Sequence, residues 1–283
     1  MSFSVHHPAI PGYELIRELA IGCGGNGAII YVARSVRLDK VVVLQVRFPP
    51  RISVQGGDVA GPARMASLLG LGHPNILGVL EVGEVDRHVY VALEYVEGVE
   101  TLGDRLRRGP LPEAKARGLA SVIASVLQFV RNRGVAVAIL TPGDVLLSAT
   151  PKLILHPMCE GYVGPDFMAP EEEFGAQQAT GTGIDVYRVG ALLYAMLTGQ
   201  SPVSFDSARL HLRRSVLPPV PVRQINPVIS KTVEAICMKC LEDRPDRYGT
   251  LEELIESIDR AGQTFTSRLI GRWTRLAAAL VRA

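Results

Sequence analysis

Over residues 13–20, 28–36, 40–48, 76–85 and 87–96, apolar and polar positions alternate or β-branched residues cluster, with Gly, Asp and Pro between the runs. A period of two buries one face of an extended chain, so these runs predict five strands within the first hundred residues. One stretch among them, about Val59 to Leu71, fits a helix and ends at the turn sequence Gly72–His73–Pro74–Asn75. From about residue 101 the period changes. Leu102 and Leu106, then Ala116, Leu119, Ala120, Ile123, Ala124 and Leu127, recur at three and four residues and make one apolar helical stripe. Short β-type pieces follow at 145–147 and 152–155, then helices around 184–199, 228–241 and 250–260. A small, mostly β half before a larger, mostly α half predicts an α+β chain of two lobes, with a cleft near residues 93–100. The domain is expected over 10–262, its lobes at 10–96 and 97–262, with a tail at 1–9 and an amphipathic basic helix at 263–283.

Composition narrows the function classes. The chain has 283 residues, 47% of them hydrophobic, enough for a large core. A formal net charge of +2 gives no basic stripe for nucleic acid. Cys23, Cys159, Cys237 and Cys240 do not read as a secreted disulfide framework in a chain this long. The opening MSFSVHHPAIPGYE lacks a charged leader and an apolar core, and no apolar run approaches a membrane span. A cytoplasmic location is expected, with peripheral membrane contact through 265–283 left open.

Ordered short motifs carry a resemblance. Ile10–Pro11–Gly12–Tyr13–Glu14–Leu15 leads into Gly-x-Gly-x-x-Gly at Gly22, Gly24 and Gly27, and the strand Val41–Val46 follows. Then come His73–Pro74–Asn75–Ile76, Leu93–Glu94–Tyr95–Val96–Glu97–Gly98, Ala169–Pro170–Glu171, Asp185–Val186–Tyr187, Leu197–Thr198–Gly199 and Cys240–Leu241–Glu242 with Arg247–Tyr248. A lone glycine motif is weak. The ordered set resembles the protein kinase superfamily, in the style of bacterial Ser/Thr kinases, and implies the bilobal kinase fold.

The resemblance also shows what is missing. Phosphoryl transfer is catalysed by positioning and electrostatics, through a strand Lys, a helix Glu, a base Asp and an Asp with an Asn on Mg²⁺. The strand Lys falls at Gln45, which brings no charge to a polyanion. Lys40 lies on the other strand face, roughly 16 Å away. Arg47 shares the face of Gln45, though a solvated surface role is the plainer reading. No acidic residue stands between Asp58 and Glu81, and the helix Glu place is near Arg64.

The catalytic loop aligns on Val137–Ala138–Ile139–Leu140–Thr141–Pro142–Gly143–Asp144. The base place is Ile139, which accepts no proton, and Asp144 takes the Asn place. The Asp-Phe-Gly motif aligns on Leu155–His156–Pro157, and leucine cannot ligate Mg²⁺. The segment after Pro157 holds no Ser or Thr before Met168, leaving Tyr162, and the arginine that would clamp a phosphate there is Ala138.

No catalytic residue and no metal site are therefore expected. A nucleotide pocket, if used, would be lined by Gly22, Gly24, Gly27, Ile29, Val43, Glu94, Val96 and Leu146, with Val43 narrowing it in place of a small Ala. Any ATP binding would be weak and metal-independent. Glu171, Asp185 and Arg247 are assigned structural roles by the resemblance: Glu171 with Arg247 as an ion pair, Asp185 as acceptor from the catalytic-loop backbone. The favoured reading is a catalytically inactive pseudokinase acting as a scaffold or allosteric partner in signalling, with a protein partner such as an active kinase. The alternatives are a divergent Ser/Thr kinase using Arg47, Asp144 and His156, and a membrane-surface adaptor.

Two further features have plain readings. Cys237-x-x-Cys240 has no second ligand pair nearby and reads as two buried helix residues, and Cys23 has no evident base beside it. In the tail, Phe265, Leu269, Ile270, Trp273, Leu276, Ala277, Leu280 and Val281 sort to one side of a helix, with Arg268, Arg272, Arg275 and Arg282 on the other. That pattern suits an anionic surface, a partner groove or docking on the large lobe.

Overall fold

The computed structural model describes residues 9–21, 28–47, 66–86, 88–135, 137, 140–155, 165–172, 181–203 and 218–263. Five antiparallel strands, β1 (Tyr13–Ile21), β2 (Ala28–Ser35), β3 (Lys40–Arg47), β4 (Val79–Val85) and β5 (His88–Glu94), form one sheet in the order β1-β2-β3-β5-β4. Alternation sets its two faces. Tyr31, Ala33, Val42, Leu44, Val46 and Ala92 form one apolar cluster, while Val43, Val91 and Leu93 belong to another. In register, Gln45 lies between Ile30 and Val91. Gly83 faces Tyr90 across β4 and β5, where an added Cβ would sit 2.3 Å from the tyrosine ring.

The second lobe is helical. β6 (Glu100–Thr101) leads into α1 (Leu102–Leu106), whose first turn is capped by Thr101 accepting from the Asp104 N–H at 3.0 Å. α2 (Glu113–Arg131) buries the predicted stripe from Ala116 to Leu127, with Val126 and Val130 beside it. β7 (Val145–Leu147) and β8 (Lys152–Leu153) complete a three-stranded sheet in the order β6-β7-β8. α3 (Thr182–Thr198) is buried continuously from Ile184 to Thr198 and stops at Gly199, whose φ of 76° is the left-handed conformation glycine tolerates. α4 (Val222–Ile225), α5 (Lys231–Leu241) and a helix over 251–263, α6, pack into the same core. Gly190 lets α3 approach α5 closely: a Cβ there would stand 2.3 Å from that of Cys240.

This is the expected two-lobed α+β arrangement, with small differences at element ends. The strand expected from residue 76 begins at Val79, because Ile76 and Leu77 are used elsewhere. Leu77 N–H donates to Leu153 O and Leu153 N–H to Asn75 O, both at 2.9 Å, and Asn75 Nδ2 donates to Pro151 O at 2.8 Å. A backbone seam thus joins the lobes. The β8 strand is correspondingly short, and α5 starts at Lys231 after its Ser230 cap, three residues later than the periodicity predicted.

Candidate functional site: the interlobe cleft

The cleft is built from the inward side of β3 and β5 above and β7 with β8 below. Leu77, Val91 and Leu93 form a buried cluster, and Val43, Val96, Leu146 and Ile154 pack against it. Ile29 belongs to the cluster on the other side of the sheet. Three expected pocket residues, Val43, Val96 and Leu146, therefore do converge. Glu94 was expected to offer backbone groups: its N–H donates to Gly78 O at 2.8 Å, and its side-chain Oε2 accepts from Lys152 Nζ at 2.9 Å.

Gln45, expected at the place of the phosphate-binding Lys, is only 8% exposed. Its sheet neighbours are apolar, so an anion drawn to this place would meet no cation from β3 at Gln45. Leu155, expected at the place of the metal-holding Asp, is 5% exposed and lies in the large apolar core with Ile76, Leu140 and Leu153. An apolar side chain in this position gains by burial and offers no ligand atom. Asp144 is buried, and one carboxylate oxygen accepts from Thr141 N–H and Thr141 Oγ1, both at 2.8 Å. That oxygen already caps the short turn Pro142–Asp144. A divalent Mg²⁺ with ATP, which the kinase fold implies, demands hard oxygen ligands in near-octahedral array. Leu155 and Gln45 do not fit that group.

The structural residues are better provided. Arg247 grips Glu171 with both terminal guanidinium nitrogens, Nη1 to Oε1 at 2.6 Å and Nη2 to Oε2 at 3.0 Å, and also donates to Glu242 O and Gly183 O. Burial raises the Glu171 carboxyl, but the Arg247 hydrogen bonds and the nearby Arg247 and Arg244 charges outweigh it, leaving it below its ordinary 4.5. Among the described residues the donors to Asp185 are arginine side chains, and the expected acceptance from the catalytic-loop backbone falls largely outside them. Arg131 Nε donates to it at 3.0 Å, and Arg188 Nη1 at 3.3 Å. Arg188 in turn reaches the loop through Val137 O at 2.9 Å. Neither arginine was singled out from sequence. The available signal was one Arg, three residues after Asp185, inside an otherwise apolar helix.

Cys237 and Cys240 lie fully buried on α5, and Cys237 Sγ is 3.7 Å from Gly190 O. Burial pushes both thiols up, so they stay protonated at neutral pH. Gly22, Gly24, Gly27, Cys23, Arg64, Ala138, Ile139, His156, Cys159, Tyr162, the side chain of Arg47 and the tail from 264 lie outside the described residues. So does most of the helix expected over Val59 to Leu71, of which residue 66 is helical. Among the described residues, no helix is long and apolar enough to cross a membrane.

Comparison with known proteins adds family and fold. A family model described as protein kinase domain matches residues 15–257. The chain is 26% identical over 275 residues to a probable serine/threonine-protein kinase PknB of Lactococcus lactis, covering 89% of this chain and 43% of the relative. It is 27% identical over 278 residues to serine/threonine-protein kinase pkn3 of Myxococcus xanthus, covering 88% and 50%. The chain thus spans about two fifths to one half of the length of such curated relatives. The solved kinase domain of Mycobacterium tuberculosis PknI superposes with a TM-score of 0.71 at 20% identity, over 89% of this chain and 97% of that one, a likeness of fold.

Proposed function

The chain belongs to the protein kinase domain family, and from that premise we propose that it works as a pseudokinase, binding a protein partner without transferring phosphate. The observation that carries this is Leu155: the place of the metal-holding Asp is filled by a leucine buried in the core. Gln45 supports it, since a neutral amide replaces the phosphate-binding cation. General-base catalysis contributes about 10²–10⁴ in rate and Mg²⁺ several kcal/mol more. Ile139 can supply no base and Leu155 no metal ligand, so the two losses act together.

In this reading the chain takes no Mg²⁺ and no obligatory cofactor. A protein partner, an active kinase being one class, is engaged from the folded surface, in the cytoplasm. Incubation with labelled ATP and Mg²⁺ or Mn²⁺ should give no transfer to the chain or to a generic substrate. Turnover that disappears on Gln45→Ala or Asp144→Ala would sink the proposal.

A second reading, a divergent Ser/Thr kinase, draws on the relatives, which are named as serine/threonine-protein kinases. It requires nucleotide affinity. A thermal-shift titration with ATP, with and without Mg²⁺, separates the two. A rise in melting temperature that depends on the metal favours the divergent enzyme.

A further inference from the structure

Arg188 stands at the middle of a buried chain of contacts that the fold assigns to no substrate. Its side chain is 7% exposed, and a guanidinium this far from water must be paired. Nη2 donates to Glu172 Oε1 at 2.6 Å, and Nη1 donates to Val137 O at 2.9 Å and to Asp185 Oδ1 at 3.3 Å. The second oxygen of Glu172 accepts from the Ala169 N–H at 2.9 Å. One arginine thus links the backbone of the catalytic loop, at Val137, to the backbone of the segment that ends in Glu172. Arg131 completes the set by pairing with Asp185, giving two positive and two negative groups.

We propose that Arg188 and Glu172 fix the end of the activation segment constitutively, through a permanent charge pair that needs no phosphoryl group. The expected phosphate clamp is Ala138, which has no charge to offer, so the cation comes from α3 instead. A planar guanidinium suits this place because its fork serves two directions at once, one toward Val137 and one toward Glu172. A carboxylate carries its charge from synthesis onward, so the segment needs no modification to be held. This goes beyond the reading above, since it holds whether or not the chain transfers phosphate.

The test is amide hydrogen exchange on the full chain. After treatment with a broad-specificity phosphatase, protection of the Ala169 amide should equal that of the untreated protein, and loss of protection would overturn the proposal. In Arg188→Ser, Glu172 still offers Ala169 an oxygen but is no longer held, and exchange at Ala169 should quicken roughly tenfold. Glu172→Gln keeps the side chain's shape while removing its charge, and leaves Arg188 paired with Asp185. It should quicken Ala169 by a similar factor while the amides of α5 keep their rates. If Arg188→Ser loses protection throughout the chain, Glu172→Gln alone decides. Exchange at Ala169 within about twofold of the parent in Glu172→Gln overturns the proposal.

Discussion

Lys152 Nζ lies 2.9 Å from Glu94 Oε2, so an ion pair joins the last residue of β5 to β8 across the interlobe boundary. The Gly78 N–H approaches the same oxygen at 3.4 Å, and Asn75 holds Pro151 O one residue before Lys152. The end of β5 and β8 are therefore tied by charge, and Asn75 ties the same stretch through its backbone. Glu94 is 43% exposed, so solvent screening limits the pair to roughly 0.5–1 kcal/mol. Lys152→Met should lower the urea unfolding free energy by about that amount. Asn75→Ala, which removes a donor from a part-buried carbonyl, should cost about 1–2 kcal/mol. Circular dichroism during urea titration checks both, and a larger loss for Lys152→Met than for Asn75→Ala would contradict the ranking.

Restoring the missing chemistry should harm the fold before it helps catalysis. Leu155→Asp would bury a carboxylate in the apolar core, at a cost of roughly 2–5 kcal/mol or with its pKa driven upward. Gln45→Lys would place an ammonium among Ile30 and Val91, with the helix Glu place aligned near Arg64. Both variants should melt below the parent in differential scanning fluorimetry, and neither should gain Mg²⁺-dependent stabilisation by ATP. A metal-dependent gain in Leu155→Asp would show that the position faces a usable site.

Acid should weaken the bracket between the activation segment and the turn that follows α5. Glu171 is held below its ordinary 4.5 in the folded chain, with burial opposing and Arg247 prevailing. A depressed folded-state pKa means that the unfolded chain binds the proton more readily. The pair's stabilisation is therefore complete above pH about 4.5 and is lost as pH falls through the lower, folded value. Glu171→Gln should be less stable than the parent at neutral pH, and the gap should narrow toward about pH 3. Urea midpoints of the two proteins across that range provide the measurement. A gap that widens on acidification would reverse the assigned sign.

Much of this was legible in the residues, for identifiable reasons. β1, β2 and β3 were predicted within a residue because alternation reports a sheet with one face buried, and Val42, Leu44 and Val46 keep that period without interruption. The bracket of Glu171 and Arg247 followed from two short motifs whose order is fixed. The start of β4 was misjudged because Ile76 is as apolar as a strand residue yet serves a seam with Leu153, a partner 77 positions away that local pattern cannot reveal. Arg188 escaped notice for a related reason. Its value depends on Glu172 and Val137, both distant in sequence and brought together only by α3.

Asp144 offers the sharpest division between structural and chemical roles. Its carboxylate oxygen accepts two hydrogen bonds from Thr141, and its own N–H donates to Thr141 O at 3.0 Å. Asparagine presents a carbonyl oxygen to the same two donors, so Asp144→Asn should change stability by less than about 1 kcal/mol. Asp144→Ala removes the acceptor and leaves a part-buried N–H and hydroxyl without it, at about 1–2 kcal/mol. If the residue serves only the turn, partner binding and fold should track stability through both variants. If it serves chemistry, the alanine variant should lose activity beyond its loss of stability, while asparagine, the residue the resemblance gives this place, should keep it. Melting temperature and phosphate transfer, measured together on the two proteins, distinguish these outcomes, and the geometry of the Thr141 contacts predicts the first.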